Sequence, residues 1–426
     1  MTSIVLSFVG EQDPYSEKTK EEGSIVTLLR HLVAQKYEIK KAVLLHTEGT
    51  SKGALDTRDW IASESGLKLI EVELVGVSED LSRDPTDLLK AAQEARRGLD
   101  LIKGIMEDGD RIEFNASSGT PAMKSAFSIL QAAGYVANGQ VWQIRNPKLM
   151  REDQSRVFET DIGGLRREFD LKGLRGQIEG FNYGAALMTL TGSSLRDRFK
   201  SLPSLLKAGE AWHRGEFDLF YKLAKSYLAD AEKIQGSTWW WMAYEQAYTA
   251  MVRLEQGNTS EAMQHSFRAV EGALWEWAIA TFPNDVENRV DKYPLLKSTI
   301  LSSYPALRSR YEEVESRGMD VELKGYILKD LHGLAIPKSA ASDDFREYWS
   351  RARTARNLIS HRLGGISEKE VFAAWGNQIR SRTDLEKRLL TCLNLLTGKS
   401  FRSLIEASLF AKVHQKVITA IASYQP

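Results

Sequence analysis

The chain has 426 residues, enough for two or three domains with a large core. Hydrophobic residues make up 42% and charged residues 27%, and Lys plus Arg balances Asp plus Glu at 57 each, which excludes a general basic coat for nucleic acid. One cysteine, Cys392, excludes a disulfide framework and a four-cysteine zinc site.

Residues 1–145 alternate short apolar runs with helical spacings. Ile4–Val9 reads as a buried strand, and Ile25, Leu28, Leu29, Leu32 and Val33 form a helical stripe after it. Ala42–Leu45, Leu67–Leu74, Ile112–Phe114 and Val141–Ile144 read as four further strands. Between the third and fourth, Leu88, Leu89, Ala92, Leu99, Ile102 and Met106 fit a long helix begun near Asp84-Pro85. Pro121 stands where a helix can start without the N–H that proline lacks. This alternation predicts a Rossmann-like, doubly wound parallel sheet. Glycines punctuate residues 146–200, which read as a hairpin or a connecting segment. From about 203 onward strand signals fade, and runs rich in Ala, Leu, Glu, Arg and Lys read as helices. Trp239–Trp241, Trp275, Trp277, Trp349 and Trp375 are expected to pack between those helices. The division expected is 1–150 for the α/β domain, 151–250 for a mainly helical connection, and 251–426 for an all-α domain.

In a doubly wound sheet, ligands bind beyond the carboxyl ends of the strands. The first strand is followed by Val9-Gly10-Glu11-Gln12-Asp13-Pro14, the second by His46-Thr47-Glu48-Gly49-Thr50, and the fourth by Asn115-Ala116-Ser117-Ser118-Gly119-Thr120-Pro121. The last opens directly into a helix, whose N-terminus favours anions such as phosphate. Ordinary capping explains any one of these loops; three at one sheet edge suggest a site. A G-x-G-x-x-G motif after the first strand and a G-K-[ST] loop are both missing, which argues against a dinucleotide or nucleoside-triphosphate site.

The Val9-Gly10…Asp13-Pro14 loop and the Asn115…Ser118-Gly119-Thr120-Pro121-Ala122-Met123 turn resemble the two ligand-binding motifs of CARF domains, specifically those of the CARF–HEPN ribonucleases of type III CRISPR systems. The resemblance implies that the activator is a cyclic oligoadenylate, a ring of four or six, bound across a dimer axis. It implies a lining of Gly10, Asp13, Thr47, Asn115, Ser118, Gly119 and Thr120, to which the turn adds Ser117.

Near the C-terminus, Arg356-Asn357-Leu358-Ile359-Ser360-His361 is the chain's one R-x4-H motif. Phe345–Leu363 reads as a helix with Tyr348, Ala352, Ala355 and Ile359 on its apolar side, ended by Gly364-Gly365. Asn357 and His361 share a face at i, i+4, so the amide could orient the imidazole. Arg356 lies about 140° from His361 around the helix, so one chain cannot easily aim both at one phosphate, whereas a two-fold dimer can. By itself the motif is more simply a histidine near a helix C-terminus in a basic run. Joined to the N-terminal motifs, it resembles the HEPN ribonuclease signature, with Met263–Ala278, carrying Arg268 and Glu271, as an earlier helix of the domain.

The resemblance sets the expectation of a homodimer that cleaves single-stranded RNA, leaving 2′,3′-cyclic phosphate or 3′-phosphate ends; the single cysteine fits a cytoplasmic protein, and the lack of H-E-x-x-H or another metal-ligand spacing points to cleavage without a metal. Arg356, Asn357 and His361 are the catalytic candidates, and no metal site, cofactor, membrane contact or stable DNA complex is expected. No apolar run approaches the ~20 residues of a membrane span, and the opening Met1-Thr2-Ser3-Ile4 lacks the basic segment of a signal peptide. Slow cleavage of the activator by the sensor is a further expectation. Two other readings stay open: a non-catalytic cyclic-nucleotide-sensing regulator whose helical half binds a partner, and an unrelated nucleotide-using enzyme with Asp13 or His46 as its acid or base.

Overall fold

The computed structural model describes residues 2–136, 138–228 and 239–424. Part of the expected connecting region, 229–238, therefore lies outside the described residues. The chain divides into two compact units, Met1–Lys172 and Gly173–Gln425. The region 151–250 is shared between them and forms no unit of its own.

The first unit is built on strands β1 (Thr2–Phe8), β2 (Tyr15–Ser16), β3 (Glu21–Glu22), β4 (Glu38–His46), β5 (Glu71–Gly76), β6 (Arg111–Asn115), β7 (Gly139–Ile144) and β8 (Val157–Thr160). Six of them form one sheet in the order β5-β4-β1-β6-β7-β8, while β2 and β3 make a separate small hairpin. All neighbours in the large sheet are parallel except β7 and β8. The chain starts at the centre with β1, moves outward through β4 and β5, then returns to the other side with β6. That reversal puts the switch point between β1 and β6, where a ligand crevice is expected. Because β8 pairs antiparallel with β7, the unit runs on beyond residue 150.

Helices α1 (Ser24–Ala34), α2 (Ser51–Ser63), α3 (Glu79–Arg83), α4 (Leu88–Lys103) and α5 (Pro121–Ala132) belong to this unit. Two cores result. One joins Ile4, Leu6 and Phe8 to Leu99, Ile102, Phe114 and Phe127, and the other joins Val5, Ala42 and Leu44 to Leu28, Leu29 and Ile61. Alternate residues of β1 thus enter different cores, as period-2 pleating requires. The long helix differs from its expected stripe. Its buried face is Ala91, Glu94, Ala95, Gly98, Leu99 and Ile102, while Leu88 and Leu89 are exposed and Met106 lies beyond its end. Gly98 explains the close packing: a Cβ there would come within 3.0 Å of Leu45. The glycines read as punctuation, Gly163, Gly164, Gly173 and Gly176, lie inside α6 (Gly163–Glu179), and the division between the units falls within that helix.

Among the described residues, the second unit is helical apart from a hairpin of two-residue strands, Val286–Glu287 with Leu295–Leu296, and a single bridge from Leu295 to Glu322, so the all-α expectation needs that small correction. Its aromatic residues are mainly core. Trp212 stacks on Phe410 at 3.8 Å between ring centroids, and the fully buried Trp375 donates its indole N–H to Ser266 at 3.0 Å. Trp240, Trp241, Trp277 and Trp349 are buried as well. Among the described residues, no helix is long and apolar enough to cross a membrane.

Candidate functional site

Two places carry the residues singled out by the sequence, one in each unit. In the first unit a cavity of about 630 Å³ opens beyond the carboxyl ends of β1 and β6. Seven of the eight expected ligand residues line it: Gly10, Asp13, Thr47, Ser117, Ser118, Gly119 and Thr120. Asp13 organises this edge. Its carboxylate accepts from the Gly10 N–H at 3.0 Å and the Ile25 N–H at 3.2 Å, and from the Ser118 hydroxyl, tying the β1 loop to the β6 turn. Burial pushes its pKa up, against the pull of Ser118, of the Gly10 and Ile25 N–H groups and of the Lys124 charge. The two loops touch so closely that a Cβ on Gly10 would lie 2.8 Å from the Gly119 nitrogen, which is why glycine stands there. Gly119 itself needs its positive φ of +85° to make the turn into α5.

Thr120 caps α5, its hydroxyl accepting from the Met123 N–H at 3.3 Å while donating to the Pro85 carbonyl at 2.6 Å. With the Thr120 and Ser118 hydroxyls engaged, the donors that this turn itself leaves to a ligand are backbone ones. Among the described residues, the Gly119 and Thr120 N–H groups donate to no protein acceptor. Thr47 forms a reciprocal cap with Thr50, the two exchanging backbone and hydroxyl hydrogen bonds at 3.0 and 3.3 Å. Asn115 is a correction. It is fully buried and takes no part in the lining. Its amide donates to Ser7 at 3.1 Å and Ser24 at 3.2 Å and its oxygen accepts from the Ser117 N–H at 3.0 Å, so it braces the turn from beneath.

In the second unit the motif lies on Arg353–His361, reached through Asp343–Glu347 and a π-helical stretch, Tyr348–Ala352. The expected helix is thus present with a wider turn in it, a feature frequent beside functional sites. Arg356 is held by the helix Thr259–Thr281: it pairs with Glu271 at 3.2 Å, and its guanidinium lies 4.7 Å from the centre of the Phe267 ring. Burial raises the Glu271 pKa, and the Arg356 and Arg353 charges act against that rise. Asn357 departs from its expected role. Its oxygen accepts from Arg356 at 3.1 Å, so the amide orients the arginine and not the imidazole. His361 closes the helix and is exposed. The buried Arg388 anchors the start of the segment, meeting Asp344 at 3.0 Å and the Trp375 carbonyl at 2.8 Å.

Over 99% of its length the chain is similar to the solved structure of Enterococcus italicus Csm6 bound to cyclic hexa-2′-fluoro-hexa-dAMP, covering 100% of that chain with a TM-score of 0.71 at 17% identity. The two chains share one fold. No protein-family model and no curated protein matches the sequence. An α/β unit followed by a helical one, expected from the sequence, is therefore the architecture of this Csm6 as well.

The cavity also holds residues that were not anticipated: Lys124, Arg145, Asn146 and Arg156. Arg156 is engaged by Glu21 at 2.5 Å and the Glu22 carbonyl at 3.1 Å. Arg145 lies 3.7 Å above the Phe158 ring and donates to the Ser155 carbonyl at 2.6 Å. Lys124 has no ion pair among the described residues and stands in the first turn of α5. Arg145-Asn146-Pro147 directly follows β7, so reading that strand end like the other three finds it. Arg156 could not be found that way, because β8 brings it back from a segment without a clear strand pattern.

Proposed function

We propose that the chain is a ribonuclease of type III CRISPR antiviral defence, acting in the cytoplasm and switched on by a cyclic oligoadenylate held at the sheet edge of its first unit. The observation that carries this is the cavity at the switch point. It offers backbone N–H groups at a helix N-terminus and the Lys124 ammonium, the donors a phosphate ring needs. Support comes from the shared fold with a Csm6 solved with a cyclic hexanucleotide, which favours a ring of six over one of four.

RNA cleavage is assigned to His361 and Arg356. The imidazole takes the proton of a 2′-hydroxyl, whose oxygen attacks the adjacent phosphorus, and the P–O5′ bond breaks. A protonated histidine returns a proton to the leaving 5′-oxygen, giving 2′,3′-cyclic phosphate and 5′-hydroxyl ends. Arg356, fixed by Glu271 and Asn357, stabilises the negative charge of the transition state. No step requires a metal. The angle of about 140° between Arg356 and His361 favours a homodimer that supplies both to one groove. Leu358 within the motif and Leu363 just after it are 68% and 108% exposed, as side chains covered by a second copy would be.

The same internal attack can open the ring inside the cavity. Alignment and backbone donors suffice for that, so ring opening is slow compared with RNA cutting. It is followed with His361→Ala protein and the ring alone, by chromatography of linear products; an intact ring after many hours at saturating protein refutes it. The main test incubates the protein with labelled single-stranded RNA and cyclic tetra- or hexa-adenylate separately, in EDTA. Cleavage that depends on a ring and survives EDTA is expected. Binding of the ring without cleavage would leave a regulator, and strict dependence on a divalent metal would remove the assigned chemistry.

A further inference from the structure

The second unit carries an aromatic and basic cluster that the cleavage chemistry does not use. Tyr326, the second residue of the helix Gly325–Ala335, is 60% exposed. The guanidinium of Arg353 lies 5.2 Å from the centre of its ring, and that of Arg310 lies 5.4 Å from it. A second ring, Tyr293, is 36% exposed, with the Lys324 ammonium 4.9 Å from its centre. Exposed tyrosines beside cations are the parts from which single-strand binding sites are made.

The arrangement around Tyr326 is built. Gly325 adopts φ +56°, and a Cβ there would lie 2.8 Å from Nη2 of Arg353, so glycine leaves the space in which that guanidinium rests. Arg310 is engaged by Asp330 at 3.2 Å. Along the motif helix, Arg351 pairs with Glu347 and Arg356 with Glu271. Arg353 has no ion-pair partner among the described residues and senses Glu271 only through space. Its charge is therefore available to a phosphate.

Its position ties the cluster to the motif. At 100° per residue, Arg353 lies about 60° from Arg356 on one side and about 80° from His361 on the other, so it stands between the two. Eight residues separate it from His361, about 12 Å of helix, or the length of about three to four stacked nucleotides.

We propose that Tyr326, with Arg353 beside it, is a stacking platform for a base of the single-stranded RNA, a few nucleotides from the bond that is cut. The base takes the place of the Arg353 guanidinium over the exposed ring, and Arg353, which unlike Arg310 no carboxylate holds among the described residues, swings to meet the neighbouring phosphate. This rests on the reading of His361 and Arg356 as the cutting site and adds to it where the substrate is held. Stacking does not depend on base edges, so the platform contributes affinity and register with little sequence selection.

The test uses full-length His361→Ala protein, with and without cyclic hexa-adenylate, and anisotropy of a fluorescein-labelled 12-nucleotide RNA. Tyr326→Ala should weaken RNA binding about tenfold, Tyr326→Phe should stay within about twofold, and Arg353→Gln should weaken binding and flatten its salt dependence. In the cleaving protein, Tyr326→Ala should raise KM and leave kcat nearly unchanged, because a base held equally before and during reaction adds no transition-state stabilisation. Unchanged RNA affinity in Tyr326→Ala would overturn the platform, as would an equal loss in Tyr326→Phe. Loss of the dimer on sedimentation of Tyr326→Ala would assign the surface to a second copy of the chain instead. If RNA binding depends on Tyr326 but no ring elicits cleavage, the platform stands and the ribonuclease reading falls.

Discussion

The two regions that carry function are built in opposite ways. At the sheet edge nearly every polar side chain is already committed: Asp13 to three donors, Thr120 to a cap and a carbonyl, Asn115 to three partners beneath the turn. Backbone N–H groups and a lysine are what remain for a ligand. On the motif helix, in contrast, the side chains project outward, with His361 exposed and Leu358 and Leu363 bare beside it. A pocket that must recognise one defined anion gains from being rigid before the ligand arrives, since little ordering is then left to do. A surface that must take any stretch of a flexible polymer can stay open, and it can leave completion of its catalytic set to a second chain.

The sharpest way to break this contrast is to remove the exposed group. His361→Ala should lower ring-stimulated RNA cleavage by about 10²–10⁴-fold while ring affinity, measured by calorimetry, stays as it was. Equal cleavage by the variant would dismiss the motif as the cutting site. Next in size is Asp13. Asp13→Ala leaves two buried donors and the part-buried Gly10 N–H unsatisfied and should cost about ten- to a hundredfold in ring affinity. Asp13→Asn keeps the shape and guards against simple unfolding, and it should show a smaller loss. Ring affinity unchanged in both would mean that the loop it ties is not part of the site.

A milder test concerns how the arginine is held. Glu271→Gln keeps a contact to Arg356 but removes the charge that restrains it. It should reduce kcat several-fold, about 1 kcal/mol of transition-state stabilisation, with KM little changed. A KM effect at constant kcat would place Glu271 in substrate binding instead of in positioning.

Much of this was legible in the residues themselves. Four of the five parallel strands stood out because strands covered by helices on both faces are apolar runs, whereas the third starts at Glu71 and not at Leu67, as a half-buried edge strand preceded by a turn that exposes Leu69; the phosphate-type turn stood out because Gly119 and Pro121 have few other uses at a helix start. Other features were hidden for physical reasons. Asn115 carries the right chemistry for a ligand contact, but its direction is set by the pleat of β6, which turns it inward to Ser7 and Ser24. Leu88 and Leu89 look like core, yet Asp87 caps the helix in a phase that points both outward. β8 is four residues long and half-exposed at a sheet edge, so no apolar run announces it. The cluster of Tyr326, Arg353 and Arg310 joins three segments distant in sequence, and only the fold brings them together.

The last effect concerns stability alone and not activity, and it separates a buried carboxylate with a structural task from the functional ones. Glu245 is 1% exposed in the second unit. It accepts hydrogen bonds from the Trp212 indole at 2.8 Å, the Ser408 hydroxyl at 2.8 Å and the Leu409 N–H at 2.5 Å, joining the helices Leu202–His213, Trp241–Glu255 and Leu409–Ala422. Burial raises its pKa from 4.5 to about 7, although all these donors pull the other way. The folded protein therefore holds a proton that the unfolded chain releases above about pH 4.5. The associated stability is fully present below that pH and is lost as pH rises through about 7, on the order of 3 kcal/mol in all. Glu245→Gln cannot ionise, so its melting temperature should stay level in this window. The amide must also turn an N–H towards a donor, which costs a constant of about 1–3 kcal/mol at every pH. Melting curves of both proteins between pH 5 and pH 8 decide the matter: the wild type should lose several degrees more than the variant as pH rises. Parallel curves would show that Glu245 is ionised throughout, with its three donors outweighing the cost of burial.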